Sequence, residues 1–236
     1  MELAVVIPTL NAERDLARLL GALGDAPDRV VVSDGGSQDG TLRAALRRGA
    51  LISMGGPGRG HQLRRGCDFA LRTLGDDAWI LALHADTRLP DGWHDTVRGY
   101  MAEGSARAAH FRYGADGNRV ERAVLGAMVR LREIAWGLPY GDQGLLISAR
   151  LYREIGGYHD MVLFEDVDIV TRLRRHHGRL ARLPGEVSTD ISAYRREGLL
   201  RRGVRNLRLL SAYRSGEDVD ALAERYRTRT RLLQDG

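Results

Sequence analysis

The chain of 236 residues contains no lysine, and all 36 of its Lys+Arg positions are arginine. That absence excludes chemistry built on an ε-amine: Schiff bases, pyridoxal phosphate anchoring and the lysine of a P-loop. GC-rich codon usage accounts for such a loss, but the chemical consequence stands. Every side-chain cation here is a planar guanidinium, suited to carboxylate and phosphate oxygens, or a protonated histidine. Cysteine is almost absent as well. Cys67 stands alone, so no intrachain disulfide and no Cys-rich zinc site can form, which fits a reducing compartment. No apolar stretch approaches the roughly 18 residues of a membrane span. Met1 to Pro8 has neither the basic start nor the length of a signal peptide. Together these absences predict a cytoplasmic protein.

What is present describes an ordinary globular chain, 43% hydrophobic and 28% charged, long enough for one sizeable α/β domain with an enclosed site. The net charge of +5 is unevenly placed. Residues 1–186 hold 25 arginines and 24 acids, whereas residues 187–236 hold 11 and 7. The first part is therefore nearly neutral, and its specificity must come from placed groups rather than a general positive field.

Four apolar runs of strand length open the chain: Leu3 to Ile7, Arg29 to Ser33, Ala50 to Met54 and Ala78 to Leu83. They lack polar alternation, as strands covered on both faces do. Helical spacing fills the gaps at Ala12 to Leu23, Ser37 to Arg48 and Arg59 to Leu74. The alternation predicts a doubly wound, mostly parallel sheet, whose ligands gather at the carboxyl ends of its strands. Further on, the pattern predicts strands at 106–113 and 144–148, and one or two within 180–189. Helices are predicted at 118–136, 150–155, 164–176, 198–213 and 219–233.

Polar residues follow the predicted strands. Pro8-Thr9-Leu10-Asn11 ends the first, with Asn11 placed to cap the next helix. Asp34-Gly35-Gly36 follows the second, a carboxylate beside glycines that admit close backbone approach. Gly55 to Gly60 is a glycine-rich loop that opens a helix and presents Arg59. His84-Ala85-Asp86 follows the fourth strand and offers the hard oxygen that Mg²⁺ or Mn²⁺ prefers. Glu165, Asp166 and Asp168 gather at a helix start, where adjacent carboxylates raise one another's pKa and favour a general base. The helix dipole favours the same acidic start without any catalysis. His61 and His159 read better as hydrogen-bonded structural histidines than as metal ligands. Trp136 and Tyr140 could stack on a sugar but read better as core aromatics.

In this order the motifs resemble the family 2 glycosyltransferases of GT-A fold over about residues 3–177, carried by VVIPTLNAE, VVSDGGSQDGT, GRGHQLRRG, LHADT and FEDVD. LHADT, YGDQG and EDVD together are most similar to the subfamily labelled radical-SAM/selenodomain-associated transferase 2. The resemblance implies a GT-A domain over 1–190 and a basic helical extension over 191–236. It implies a nucleotide site of Pro8, Thr9, Glu13, Asp34, Gly36, Arg59, Ala85 and Asp86, with Asp34 accepting from uracil N3–H. It implies a divalent metal, Mn²⁺ or Mg²⁺, on Asp86. The family's Asp-x-Asp has His84 in its first position here, a departure that leaves His84 a weaker candidate ligand. Asp166 matches the presumed catalytic base, with Glu165 beside it. Asp142 and Gln143 fall near the sugar and acceptor region, and Arg195 and Arg196 are candidates for the leaving diphosphate.

The expected activity is inverting transfer from a nucleotide sugar, UDP-linked by expectation, to a small-molecule or lipid hydroxyl. The alternatives are a nucleotidyltransferase on the same scaffold and a non-catalytic binder of nucleotide or anionic lipid. Residues 195–214 carry seven arginines against Glu197 alone, and Leu199, Leu200, Val204, Leu207 and Leu210 share a face. That pattern predicts peripheral contact with the inner membrane face as readily as packing. Nucleic acid is not expected, because no aromatics interleave the arginines.

Overall fold

The computed structural model describes residues 1–75, 77–104, 108–136 and 141–232, and the side chains of all these except 132–136 and 227–232. Among these residues seven strands form one sheet: β1 Leu3–Thr9, β2 Arg29–Asp34, β3 Leu51–Met54, β4 Trp79–Ala82, β5 Ala108–Ala115, β6 Leu145–Ser148 and β7 Ala181–Thr189, in the order β3-β2-β1-β4-β6-β5-β7. All neighbours pair in parallel except β6, which is antiparallel to both β4 and β5. The start of β6 therefore lies at the edge where β1, β2 and β4 end.

Among the described residues ten α-helices flank the sheet: α1 Glu13–Leu23, α2 Thr41–Arg47, α3 Arg59–Thr73, α4 Trp93–Glu103, α5 Arg119–Trp136, α6 Ala149–Glu154, α7 Glu165–His177, α8 Ser192–Glu197, α9 Leu199–Arg214 and α10 Val219–Leu232. The continuous apolar runs follow from coverage on both faces. Ala4 and Val6 of β1 pack with Leu63, Cys67 and Ala70 of α3 and Val170 and Leu173 of α7. Leu3, Val5 and Ile7 point the other way, into Leu16, Leu19 and Leu20 of α1 and Val97 and Met101 of α4. Cys67 is fully buried, and burial raises its thiol pKa, so it serves as a small hydrophobe.

Strand β1 and helices α4 and α8 differ from the sequence expectation, and β7 settles an alternative it left open. Strand β1 runs on through Pro8, which pairs with Ser33. The pairing of β4 with β1 stops at Val6, where Leu83 N donates to the Val6 carbonyl. Proline's missing N–H faces that side, beyond the end of the ladder, so nothing is lost. Helix α4 was not anticipated, although Trp93, Val97 and Met101 form its buried stripe at fourfold spacing. The run around Pro184-Gly185 is one strand, β7, whose register against β5 shifts between His110 and Arg112, as at a bulge.

The C-terminal helices join the main core. Leu210 of α9 and Leu222 of α10 are fully buried in the cluster that holds α3 and α7, and Tyr213 stacks on Phe164 at 4.8 Å between centroids. Leu200 and Val204 remain exposed, so packing claims only part of the apolar face of α9. Among the described residues no helix is long and apolar enough to cross a membrane.

Helix α3 lies unusually close to the sheet. A Cβ on Gly66 would stand 2.7 Å from Val6 Cγ1 and 2.9 Å from Ser33 Cβ, inside contact distance. Gly66→Ala is therefore expected to lower the unfolding free energy by about 1–3 kcal/mol in urea titration, despite alanine's better helix propensity. Gly99→Ala, at an exposed position of α4 with nothing within 4 Å of the new Cβ, is expected to raise it by roughly 0.5–1 kcal/mol. Equal effects at the two sites would contradict the packing account.

Candidate active site

The ends of β1 and β2 are stitched into one platform. Thr9 and Asp34 face each other in the register, and Asp34 is fully buried. One carboxylate oxygen accepts from Thr9 Oγ1 at 2.9 Å and Ser37 Oγ at 2.6 Å; the other accepts from the N–H groups of Gly36 at 2.9 Å and Ser37 at 2.8 Å. Burial pushes the Asp34 pKa up, but these four donors outweigh it and hold the carboxyl below the usual range. Gly36 adopts φ 98°, which suits glycine. Asn11 does not cap α1: it takes a left-handed φ of 51°, and its Oδ1 accepts from Gln38 N at 2.8 Å. Ala12 N donates to Thr41 Oγ1 at 2.8 Å, and Glu13 Oε2 accepts from Gly40 N at 3.2 Å. Glu13 itself is exposed at the rim and Pro8 is buried.

The glycine-rich loop turns out to serve helix packing. A Cβ on Gly60 would fall 2.3 Å from the Met161 carbonyl and 3.0 Å from Glu165 Cβ, so only glycine lets the start of α3 touch the start of α7. From that contact Arg59 reaches both carboxylates. Its Nε donates to Glu165 Oε1, and its Nη2 lies 3.8 Å from Asp166 Oδ2. Burial disfavours the Arg59 charge, but Glu165 and Asp166 more than compensate and hold its pKa above the ordinary value. Glu165 is fully buried; burial raises its pKa and Arg59 opposes the rise. Asp166 Oδ1 accepts from Val167 N at 2.8 Å at the free helix start. Asp168 faces elsewhere, bonded to Arg172 Nε at 3.0 Å and 3.1 Å from His159 Nδ1.

At the end of β4, His84, Ala85 and Asp86 are half-buried. The His84 Nε2 atom is buried without a hydrogen-bond partner among the described residues. Burial first and the Arg59 charge second bring the His84 pKa down to about 3 against the pull of Asp166, so the ring is neutral at neutral pH. Burial and the nearby Asp15 and Asp190 raise the Asp86 pKa. Among the described residues no three His, Cys, Asp or Glu side chains converge on a metal position. One carboxylate and one unpartnered imidazole nonetheless fit an ion that takes its remaining ligands from water and phosphate oxygens. Asp142 and Gln143 form a single 3₁₀ turn before β6, at the same edge.

The chain matches glycosyl transferase family 2 over residues 4–152. It belongs to that family. Glucosyl-3-phosphoglycerate synthase from Mycobacterium tuberculosis, solved with Mn²⁺, uridine diphosphate and glucosyl-3-phosphoglycerate, is similar to it. The TM-score is 0.56 at 21% identity, over 80% of this chain and 70% of that one. The complex of that enzyme with Mn²⁺, UDP-glucose and phosphoglyceric acid gives 0.53 at 22%, over 80% and 70%. The complex with Mg²⁺ and uridine diphosphate gives 0.55 at 21%, over 80% and 69%. At these identities the likeness establishes the fold, which is GT-A. No curated protein matches the chain.

As a family 2 glycosyltransferase, the protein brings Thr9, Asp34, Gly36, Arg59, His84, Asp86, Glu165 and Asp166 to one edge of the sheet. Arg195 is committed elsewhere, donating to both Glu121 oxygens at 2.8 Å, and Arg196 is exposed beside Asp190. His61 lies 3.2 Å from Asp160 and His159 3.1 Å from Asp168, so each imidazole meets a carboxylate. The side chain of Trp136 and all of Tyr140 lie outside the described residues. Sequence reasoning missed Gln62, whose buried amide donates to the carbonyls of Thr9 at 2.6 Å and Ser33 at 3.0 Å and clamps the ends of β1 and β2. It also missed Arg65, which donates to the Asp34 carbonyl at 2.8 Å. The polar residue at 62 on an otherwise sheet-facing stripe of α3 was the available signal.

Because the folded pKa of Asp34 is depressed, its stabilisation is present above the ordinary value of 3.8 and is lost as pH falls through the lower folded value. Asp34→Asn is expected to cost about 1–3 kcal/mol at neutral pH, with the difference from wild type shrinking in urea titrations at about pH 3. A difference that does not change with pH would show that the charge of Asp34 is not what the loop depends on.

Proposed function

We propose that this glycosyltransferase inverts the anomeric centre as it moves a sugar from a nucleoside diphosphate, uridine diphosphate in the first instance, to an acceptor hydroxyl with a divalent metal ion. The observation that carries this reading is the placement of Asp166 beside Arg59 and within electrostatic reach of His84, at the edge where β1, β2 and β4 end. Relatives of the same fold hold uridine diphosphate with Mn²⁺ or Mg²⁺, which supports the donor class and the ion.

The nucleoside would lie over the β1–β2 platform, where Thr9 and Gly36 are held by Asp34 and where Glu13 borders the rim. Asp86, with His84, would hold the ion, which when bound neutralises the diphosphate and stabilises it as a leaving group. Asp166 takes the proton of the acceptor hydroxyl as that oxygen bonds to the anomeric carbon. The carbon–oxygen bond to the diphosphate breaks on the opposite side, and its electron pair leaves with the nucleotide. A single displacement inverts the centre. Glu165 is a positioning residue in this scheme: it anchors Arg59, and Arg59 fixes the orientation of Asp166. Arg59 is 40% exposed along its side chain, so its outer face can meet the diphosphate while its Nε stays on Glu165.

Calorimetry tests the donor: uridine diphosphate is expected to bind with Mn²⁺ or Mg²⁺ and only weakly with chelator, and no binding under either ion would overturn the assignment. Asp166→Asn is expected to lower turnover by about 10²–10⁴-fold while leaving nucleotide affinity within about twofold. Equal loss of both would assign Asp166 to binding instead.

A further inference from the structure

The charged side chains buried most deeply in the C-terminal helices are not those at the start of the basic run. Arg202 and Arg205 of α9 turn inward on Glu197 of α8, with side chains 14%, 11% and 7% exposed respectively. Arg202 Nη1 donates to Glu197 Oε1 at 2.6 Å and its Nη2 donates to the Tyr226 hydroxyl at 3.1 Å. Arg205 Nη1 lies 2.7 Å from Glu197 Oε2. Aromatic faces cover both guanidiniums, Tyr194 at 5.0 Å from Arg202 and Tyr226 at 5.1 Å from Arg205.

This cluster holds two cations against one carboxylate, and its donors are not used up. Nε and Nη2 of Arg205 are buried and donate to nothing among the described residues, and Arg202 Nε is in the same state. Burying an arginine is costly unless its charge and its N–H groups are matched. The Nε–Nη2 edge is the one that takes a carboxylate or phosphate in bidentate fashion.

The position is also specific. Tyr194, whose ring covers Arg202, and Asn206, joined at 3.4 Å, line a small cavity beside the cluster together with Tyr113 of β5, Asp142, Leu125 and Met128, while the two guanidiniums themselves stand outside its wall. Asp142 lies in the turn before β6, at the edge where β1, β2 and β4 end. The nucleotide platform lies on the other side of β4, over β1 and β2.

We infer that Arg202 and Arg205 receive the anionic group, phosphate or carboxylate, of the acceptor substrate. The acceptor is thus a hydroxyl compound carrying an acid, and the extension completes the acceptor half of the site. This rests on the donor reading above, and the test separates the two.

Protein saturated with uridine diphosphate and Mn²⁺, so that the diphosphate position is filled, is titrated calorimetrically with inorganic phosphate; the titration is repeated without nucleotide. Wild type is expected to bind phosphate in both states, and Arg205→Met to bind it at least about tenfold more weakly with nucleotide affinity unchanged. Glu197→Gln keeps the shape and removes the competing charge. It is expected to tighten phosphate binding several-fold, whereas a purely structural ion cluster would lose thermal stability and leave phosphate affinity alone. Phosphate binding that disappears when nucleotide is bound, or that is equal in wild type and both variants, overturns the inference. Failure of nucleotide to bind would overturn the donor reading, while the nucleotide-free titration still decides this one.

Discussion

Two buried acids at the start of α7 cannot be kept without a cation, and the chain supplies it from 106 residues away. Arg59 leaves the first turn of α3, crosses to α7 and joins Glu165 and Asp166. Gly60 makes the crossing short, because any side chain there would strike the Met161 carbonyl. The same helix clamps the other half of the site, through Gln62 on the carbonyls of Thr9 and Ser33 and through Gly66 against Val6 and Ser33. Helix α3 therefore fixes the distance between the β1–β2 platform and the carboxylates at the start of α7. Without the Arg59 pair, burial would drive Glu165 to its neutral form and remove the group that orients the guanidinium.

The tight packing of α3 explains why the first half was legible. Strands buried on both faces read as unbroken aliphatic runs, and β1 to β4 fall within two residues of the expectation at each end. Helix α4 did not read as a helix because Gly99 interrupts it and Gly92 enters it in a left-handed conformation, which weakens the local signal although the stripe Trp93, Val97 and Met101 is sound. The reversal of β6 was not legible either, since Leu145–Ser148 has no pattern that encodes direction.

The site was legible as a set of residue types at strand ends, and illegible as a set of partners. Asn11 looked like a helix cap because capping is local; its actual partner, Gln38, lies 27 residues on. Glycines at 55 to 60 looked like a loop that opens a helix, yet the one at 60 is required by a helix contact that only the folded chain makes. The basic tail misled in another way. Amphipathic spacing assigns leucines inward and arginines outward, and that holds for Leu210. It fails for Arg202 and Arg205, because one buried glutamate and two tyrosine faces lower the cost of turning a guanidinium inward.

The exchange of aspartate for His84 gains meaning from the missing lysines. Arg59 is held among Glu165 and Asp166, and Asp86 is flanked by Asp15 and Asp190, which are themselves matched by Arg18 and by Arg88 and Arg196. A carboxylate in place of His84 would add a further buried negative charge, and the chain has no flexible ammonium with which to offset it. A neutral imidazole keeps a donor atom in the position while removing one charge. Under the proposed function, the donor atoms that remain, one carboxylate and one neutral imidazole, suit a divalent ion that takes its other ligands from water and phosphate oxygens.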